Sequence, residues 1–289
     1  MVDFDNISQE MTRSTTIDPL IGAIIGDVCG SKYEWHNVKT YEEIKIDFNE
    51  PSRFTDDTVL SCAVADWIVD SKNGTLDNQD KILERKLDEY GKAFPRAGYG
   101  HIFREWLAKE KKEPMNSFGN GAGMRCSACG CSAKKYNELL DLAKKSAEAT
   151  HNHPEGIKGA QAISYAIWSI LHGTDDKEYL RDDIEYKFGY NLHRSVSEIR
   201  GSHKFDATCQ VTVPEAIIAF LEGNSFDEVF KKAVWIGGDS DTIADMACAL
   251  AAAYYGLPDG YKESITKALP EKLNSAIDKF ENYITNGSE

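Results

Sequence analysis

Long apolar helical segments dominate this sequence and constrain its fold more than any other feature. Two of them, Asp57–Val69 and Ile243–Tyr255, are rich in alanine and run past ten residues, a length typical of helices rather than strands. The second ends at Gly256, and Pro258 follows shortly after, as is common where a helix stops. Ile17–Val28 is apolar on most of its faces, which predicts a buried helix.

Further segments carry helical spacing, whereas alternation with a period of two residues is almost absent. These segments are Leu76–Tyr90, Tyr99–Lys109, Tyr136–Ala149, Glu155–Leu171, Pro214–Leu221, Phe226–Trp235 and Ile265–Ile284. Only short stretches such as Ile44–Phe48 are candidates for a strand. The charged, weakly patterned insert Gly173–Cys209 is expected to be a surface excursion. We therefore predict a mainly α-helical fold in one compact domain, residues 17–289, preceded by a polar tail, residues 1–16.

The charge of the chain argues against nucleic acid as a partner. The sequence carries 33 basic and 47 acidic residues, which gives a formal net charge of −14. A surface this negative repels DNA and RNA, whose binding depends mainly on lysine and arginine contacts to phosphate. We expect no direct binding of nucleic acid.

The cysteines and the start of the chain indicate a protein of the cytoplasm. An odd, dispersed set of seven cysteines fits a reducing compartment better than a disulfide framework. Residues 1–16 lack the basic and apolar regions of a signal peptide, and no apolar run reaches the length of a bilayer span. Cys126, Cys129 and Cys131 form a cramped triplet without the matching second group of a zinc site, so we expect packed thiols.

Two short acidic loops, each directly before an apolar helix, are the first candidates for a chemical site. Residues 54–58 read FTDDT and residues 236–242 read IGGDSDT. Helix capping explains either loop alone, because Thr, Ser and Asp are favoured at helix starts. Together the loops bring four aspartates, whereas a cap needs one acceptor. Carboxylates and hydroxyls suit two magnesium ions, each of which prefers about six oxygen ligands. Spacing alone does not say whether the loops meet.

Six short motifs occur in a fixed order between about residues 18 and 256. They read GAIIGD at 22–27, FTDDT at 54–58, GNGAGMR at 119–125, TH at 150–151, TVPEA at 212–216 and GGDSDT at 237–242. In this order they resemble the ADP-ribosylglycohydrolase family, which includes dinitrogenase reductase-activating glycohydrolases and ADP-ribosyl-acceptor hydrolases. Each motif is a weak signal alone, but six in sequence are highly specific. The resemblance implies a compact, orthogonal all-α fold.

The resemblance also implies a binuclear magnesium centre at the base of a cleft, with Mn²⁺ as a substitute ion. By match, the ligands would come from both acidic loops: Thr55, Asp56, Asp57, Asp239, Asp241 and Thr242. The ions would hold ribose hydroxyls and a water near the anomeric carbon. The implied reaction is hydrolysis of the glycosidic bond between ADP-ribose and an acceptor, either a protein side chain or another conjugate.

A candidate for acid/base work lies just after the first motif. Residues 26–34, GDVCGSKYE, resemble a stretch of the hydrolases that act on serine-linked ADP-ribose, in which a glutamate approaches the metal centre. Glu34 is therefore our candidate general acid/base, with Asp56 or Asp57 as the alternative. The competing interpretation of Glu34 is an exposed loop acid. The same resemblance slightly favours an O-linked acceptor and leaves arginine, small conjugates and polymer open.

The glycine-rich loop at residues 116–123 would bind the nucleotide. Glycines let backbone N–H groups approach a pyrophosphate, and an aromatic ring can stack on adenine; the alternative is an ordinary turn. By resemblance, the residues that contact ADP-ribose would be Asp27, Ser117, Phe118, Gly119, Asn120, Gly121, Met124 and His151. Arg125 either meets a phosphate or, as we prefer, ties the acidic loops together from behind.

Two classes of function stay open at this point. The first is a hydrolase, acting on an ADP-ribosylated macromolecule or on a small conjugate. The second is a non-catalytic ADP-ribose-binding or structural protein, because some members of the family have lost metal ligands. The presence of all four aspartates favours the hydrolase.

Overall fold

A computed structural model of the protein describes residues 16–34, 38–49, 53–71, 78–202 and 204–286. In these ranges all regular structure is helical, apart from one isolated bridge between Gly119 and Thr208. The prediction of an all-α fold is therefore confirmed. Ile44–Phe48, the stretch considered for a strand, forms none. The predicted tail, residues 1–16, lies outside the described residues except for Thr16.

The helices follow one another with mostly short connections. The first half contains α1 (Asp18–Gly30), α2 (Asp56–Ser71), α3 (Gln79–Ala93), α4 (His101–Ala108), α5 (Gly121–Met124), α6 (Ser127–Ser132) and α7 (Tyr136–Glu148). The second half contains α8 (Pro154–Leu171), α9 (Lys177–Phe188), α10 (Val196–Ser202), α11 (Cys209–Glu222), α12 (Phe226–Ile236), α13 (Ser240–Tyr255), α14 (Tyr261–Ala268) and α15 (Glu271–Asn286). None of the described helices is long and apolar enough to cross a bilayer.

Proline explains two differences between the predicted and observed helices. α11 begins at Cys209 and contains Pro214, which we had placed at its start. Proline removes one hydrogen bond inside a helix, but α11 continues past Pro214 to Glu222. The predicted single helix Ile265–Ile284 is two helices, because Leu269 before Pro270 is extended, with φ −94° and ψ 146°. The residue before a proline disfavours the helical region.

The insert Gly173–Cys209 is largely helical, which its weak pattern did not predict, and most of its described residues are exposed or half-buried, as expected of a surface excursion. It contains α9 and α10. α9 begins after Asp176, whose side chain accepts two hydrogen bonds from the first turn, and it ends at the left-handed Gly189. On α9 the buried residues are Leu180 and Ile184, one turn apart. Such a narrow buried stripe leaves little hydrophobic periodicity in the sequence.

Helices α1 and α13 pack with their backbones almost in contact. A Cβ atom placed on Gly26 would lie 2.2 Å from the carbonyl oxygen of Ala244, and one on Gly30 would lie 2.9 Å from the Cα atom of Asp241. No real Cβ atom fits at such distances. The glycines of α1 therefore let its C-terminal half lie directly against the first turns of α13, which carry part of the second acidic loop.

The cysteines pack in the interior of the protein. All seven are buried free thiols. Burial raises the pKa of the Cys126 thiol to about 12, and it also raises the pKa of Cys129 and Cys131. A thiol that stays protonated is unreactive and behaves as a small apolar group. The triplet is therefore part of the core, as the sequence predicted.

Candidate active site

The two acidic loops lie side by side in the folded protein. Asp56 and Asp57 open α2, while Asp239 precedes α13 and Asp241 lies in its first turn. Burial raises the pKa of Asp56 to about 8, with contributions from the charges of Asp27 and Asp239. Burial also raises the pKa of Asp57, and the charge of Asp241 contributes. Carboxylates of both loops therefore share one buried region, which loop spacing alone did not show.

Asp27 of α1 shapes the first acidic loop. Its Oδ2 accepts hydrogen bonds from the backbone N–H of Thr55 at 2.9 Å and of Thr58 at 3.1 Å. The Thr55 hydroxyl donates to Oδ1 at 2.8 Å, and the Thr58 hydroxyl donates to Oδ2 at 2.5 Å. These bonds hold the start of α2 against α1. We expected Asp27 to contact substrate, and its hydrogen bonds in the structure run to the loop instead.

The hydroxyls of the two loops lie next to their carboxylates. Oγ1 of Thr55 is 3.0 Å from Oδ2 of Asp57. On the other side, Oγ1 of Thr242 is 3.3 Å from Oδ1 of Asp239, and its backbone N–H donates to Asp241 at 3.0 Å. Each loop therefore presents a threonine hydroxyl beside a carboxylate.

Glu34 lies with the second acidic loop. One carboxylate oxygen from each of Glu34, Asp239 and Asp241 lies within 4.8 Å of the other two. Burial raises the pKa of Asp241, and the charges of Asp239 and Glu34 contribute. The Glu34 side chain is half-buried. Its position in a carboxylate cluster contradicts the interpretation as an ordinary exposed loop acid.

Two glycines turn the chain between α12 and the second acidic loop. Gly237 has φ +89° and Gly238 has φ +69°. This left-handed region is accessible to glycine at little cost and is unfavourable for residues with a side chain. The turn delivers Asp239 directly to the start of α13. The two glycines of the motif are thus explained by backbone conformation.

The glycine-rich loop touches the second acidic loop through Asn120. The side-chain Nδ2 of Asn120 donates to Oδ2 of Asp239 at 2.7 Å. The backbone N–H of Asn120 donates to the carbonyl of Ala207 at 2.8 Å, and that of Gly119 donates to Oγ of Ser117 at 3.2 Å. Two of the loop amides that we expected to approach a pyrophosphate are therefore used inside the protein.

His151 lies beneath the glycine-rich loop in a neutral state. A Cβ atom on Gly121 would lie 3.1 Å from its Nε2. Its Nδ1 is 2.6 Å from Oγ1 of Thr150, which accepts a hydrogen bond from Arg125 at 2.9 Å. A threonine hydroxyl donates one hydrogen bond and accepts two, so donation to Nδ1 would leave the imidazole proton on Nε2. Burial lowers the pKa of His151, consistent with a neutral ring.

Arg125 does not tie the acidic loops together, so that preference was wrong. Its Nη2 donates to the carbonyl of Ser146 at 2.6 Å, and its Nε donates to the same oxygen at 3.0 Å. The guanidinium thus serves the C-terminal carbonyls of α7, where a helix leaves acceptors unsatisfied. Arginine suits this role because its donors form a planar fork.

The remaining predicted substrate residues differ in how accessible they are. Phe118 is 44% exposed, and its ring centroid lies 5.2 Å from that of His153. Ser117 and Met124 are buried, at 4% and 3% exposure. Phe118 is therefore placed to offer a ring face to a ligand, whereas Ser117 and Met124 support the loop from within.

Asp245 is an acid that we did not single out from the sequence. It is fully buried, and neither carboxylate oxygen has a hydrogen-bond partner in the part of the chain that the structure describes. Burial raises its pKa, and the charge of Asp27 contributes. Asp245 follows Asp241 by one helical turn on α13, the spacing at which two helical residues share a face. This four-residue spacing was the sequence signal from which Asp245 could have been placed near the site.

The atoms of this site suit a hard divalent cation. Carboxylate and hydroxyl oxygens are the ligands that Mg²⁺ and Mn²⁺ prefer. The hydrogen bonds to Asp27, Asp57 and Asp239 described above come from neutral donors. Oδ1 of Asp57 is buried and has no partner among the described residues. Because a buried, uncompensated carboxylate is costly, cations between the loops would offset the negative charge.

The chain is similar in sequence to known proteins. A family model for ADP-ribosylglycohydrolase matches residues 9–288. ADP-ribosylhydrolase ARH3 of Homo sapiens is 26% identical over 345 residues, which covers 90% of this chain and 93% of that protein. The ADP-ribosyl-(dinitrogen reductase) glycohydrolase of Rhodospirillum rubrum is 23% identical over 246 residues, which covers 79% of each.

A solved structure shows the same fold. The chain of an ADP-ribosylglycohydrolase-related protein complex superposes with a TM-score of 0.68 at 22% identity. The match covers 94% of this chain and 98% of that chain. The fold, the order of the motifs and the family match over nearly the whole sequence lead to one conclusion: the chain belongs to the ADP-ribosylglycohydrolase family.

Proposed function

We propose that this protein is a magnesium-dependent hydrolase that cleaves the glycosidic bond between ADP-ribose and an acceptor. Water adds to the anomeric carbon, the bond to the acceptor breaks, and free ADP-ribose and the protonated acceptor are released. The observation that carries the proposal is a cluster of three acids: one carboxylate oxygen from each of Glu34, Asp239 and Asp241 lies within 4.8 Å of the other two. Asp56, whose pKa responds to Asp239 and Glu34, adjoins this cluster.

The residues proposed to hold two Mg²⁺ ions are those predicted from the motifs: Thr55, Asp56, Asp57, Asp239, Asp241 and Thr242. When bound, Mg²⁺ lowers the pKa of a coordinated water and orients oxygen ligands of the substrate. Asp27 supports the first loop through Thr55 and Thr58. Asn120 supports the second loop through Asp239. The chain thus supplies both ligands and neutral donors that fix them.

Proton transfer in this reaction needs a carboxyl group near the anomeric carbon. One group must protonate the leaving oxygen or nitrogen, and a proton must leave the attacking water. We assign this work to Glu34, because it is half-buried within the carboxylate cluster. Asp56 and Asp57 are the alternative, since they open α2 at the same site.

The nucleotide is proposed to lie along the glycine-rich loop. Phe118 offers an exposed ring for stacking on adenine. Nε2 of His151 lies next to Gly119 and Gly121, and in the tautomer that carries its proton there it would offer a donor to a ligand at the loop. The relatives from Homo sapiens and Rhodospirillum rubrum are named as hydrolases of ADP-ribosyl groups, which supports the same substrate class for this chain.

The test is release of ADP-ribose, separated by chromatography, from arginine-linked, serine-linked and polymeric ADP-ribose. Each reaction runs with saturating Mg²⁺ and again with EDTA. We expect Mg²⁺-dependent release from at least one substrate and recovery when Mg²⁺ is restored. Release that persists in EDTA would refute the metal requirement. Tight binding of ADP-ribose by calorimetry without release from any substrate would favour a non-catalytic binding protein instead.

A further inference from the structure

One arginine joins the chain segments on both sides of the carboxylate cluster. Arg200, in α10, donates from Nη1 to the carbonyl of Trp235 and from Nη2 to the carbonyl of Val38, the latter at 2.5 Å. Its Cζ lies 3.7 Å from the ring centroid of Trp235. The guanidinium therefore lies on the indole while it bonds to two backbone carbonyls that are distant in sequence.

The two carbonyls belong to the segments that carry the cluster. Val38 follows Glu34 by four positions, and Trp235 precedes Asp239 by four positions. Near Trp235 the chain passes through the left-handed Gly237 on its way to Asp239. A single side chain is thus bonded to the chain shortly after one acid and shortly before another. Fixing both carbonyls limits how far these acids can separate.

A second contact fixes the same segment on the N-terminal side of Glu34. The hydroxyl of Tyr33 accepts a hydrogen bond from the backbone N–H of Lys45 at 3.3 Å. The Tyr33 ring packs edge-on against Phe230 of α12, with centroids 6.5 Å apart. Glu34 is therefore preceded by an anchor on α12, and Arg200 supplies the anchor that follows it. Both anchors tie the Glu34 segment to the part of the chain that leads to Asp239.

Arginine is chemically suited to this position in a way that lysine is not. Its planar group presents several N–H donors in a fixed fork and stacks on an aromatic face. A lysine ammonium is a compact charge that cannot lie flat on Trp235 and reach both carbonyls in the same geometry. The Arg200 side chain is half-buried, and hydrogen bonds are stronger where water is partly excluded. The arrangement therefore depends on the guanidinium.

We propose that Arg200 is a positioning residue that holds Glu34 beside Asp239 and Asp241. The inference rests on the proposed function of that site: the carboxylate of Glu34, within 4.8 Å of two proposed ligands, would strengthen Mg²⁺ binding there by its charge. It also assigns a role to the insert Gly173–Cys209, since α10 lies within it. Residues that orient metal ligands indirectly typically change metal affinity by about 10- to 100-fold when they are removed.

The experiment is a double-mutant cycle between Arg200 and Glu34, read by calorimetric titration with Mg²⁺ on the full chain. The variants are Arg200→Ala, Glu34→Ala and their combination. We expect Arg200→Ala to weaken Mg²⁺ binding about tenfold when Glu34 is present and by less than about twofold in the Glu34→Ala background. Arg200→Lys is expected to weaken binding nearly as much as Arg200→Ala.

Arg181→Ala is the matched control, because Arg181 lies in the same insert and pairs with the exposed Asp182. It is expected to leave Mg²⁺ binding unchanged, and thermal unfolding establishes that each variant is folded. Equal weakening by Arg200→Ala in both Glu34 backgrounds would overturn the proposal, since it would indicate general support of the fold. No weakening at all would also overturn it.

The same titrations separate this inference from the proposed function. A wild-type protein that binds Mg²⁺ but releases no ADP-ribose would refute hydrolysis, while the cycle would still decide the role of Arg200. A wild-type protein that hydrolyses substrate with Mg²⁺, together with an unchanged Arg200→Ala variant, would refute only the inference. A wild-type protein without Mg²⁺ binding would refute both.

Discussion

Asn120 donates a hydrogen bond to Asp239, with Nδ2 at 2.7 Å from Oδ2. This bond joins the loop proposed to hold the nucleotide to the loop proposed to hold metal. Movement of either loop changes the environment of the other. Binding of Mg²⁺ and binding of ADP-ribose should therefore be coupled, and such coupling is reciprocal.

The first prediction concerns this bond. Asn120→Ala leaves Oδ2 of Asp239 without its donor, so we expect Mg²⁺ and ADP-ribose each to bind about tenfold more weakly. We also expect the tightening of ADP-ribose binding by Mg²⁺ to decrease. Calorimetry with and without the other ligand measures both effects. The exposed Asn137→Ala is the control. Full retention of the coupling in Asn120→Ala would contradict the prediction.

The second prediction concerns the metal ligands. The double change Asp239→Asn and Asp241→Asn removes two negative charges without changing side-chain size much, so we expect the heat of Mg²⁺ binding and the release of ADP-ribose to disappear. The control is Asp141→Asn with Asp278→Asn, which makes the same charge change at exposed positions. Hydrolysis at the wild-type rate in the first variant would exclude these aspartates from the centre.

The third prediction is the pH dependence of stability without metal. Burial raises the pKa of Asp56 to about 8 and also raises that of Asp57 and Asp241. A raised folded-state pKa means that the folded protein binds the proton more tightly than the unfolded chain. The contribution of these carboxyl groups to the stability of the fold is then fully present below their unfolded-state pKa of about 4. It is lost as the pH rises through their folded-state pKa.

In EDTA, the melting temperature should therefore fall between about pH 5 and pH 8, where ordinary carboxylates are already ionised. Saturating Mg²⁺ should remove most of this fall, because cations stabilise the ionised carboxylates. Differential scanning calorimetry at constant ionic strength measures both curves. A melting temperature in EDTA that stays constant or rises across this range would show that the pKa values of these aspartates are not raised in the folded protein.

The fourth prediction compares two buried aspartates whose replacement by alanine should change the stability of the protein in opposite directions. Asp245 has no hydrogen-bond partner among the described residues, whereas Asp66 accepts from Lys86 at 2.6 Å and from Tyr90 at 3.0 Å. Without metal, Asp245→Ala should stabilise the protein by about 1–3 kcal/mol, because it removes an unsatisfied buried group. Asp66→Ala should destabilise it by about 3–5 kcal/mol, because it leaves Lys86 buried without this partner.

Urea unfolding in EDTA measures the free energy of unfolding for both variants and the wild type. The comparison matters because the two substitutions are chemically identical and both sites are buried. If Asp245→Ala lost as much stability as Asp66→Ala, the Asp245 carboxylate would have to make favourable interactions in the metal-free fold.

The sequence was sufficient for the parts of the fold that depend on local pattern. The apolar runs that became α1, α2 and α13 are long and buried on nearly every face, so their helical nature was evident. The helices of the insert were missed because α9 buries only Leu180 and Ile184. Hydrophobic periodicity is weak when a helix contacts the core along one narrow stripe.

The site was harder to predict, because its geometry depends on contacts between distant residues. The motifs pointed to both acidic loops, and the fold brings them together. The hydrogen bond from Asn120 to Asp239 joins residues 119 positions apart, and no local sequence pattern predicts it. Arg125 was assigned to the wrong partners for the same reason, since its carbonyl acceptors at Ser146 and Ala147 are defined by the end of α7.

The absence of side chains at Gly26 and Gly30 of α1 also has a genetic consequence. Any substitution at Gly26 adds atoms where the carbonyl of Ala244 already lies 2.2 Å from a Cβ position. Helices α1 and α13 would have to separate, which would carry Asp27 away from the loop that it shapes. A saturation screen for loss of function should therefore record Gly26 and Gly30 among its most sensitive codons, although neither has a side chain to offer a ligand. Intolerance in such a screen would map the spacing of two helices rather than the outline of a binding pocket.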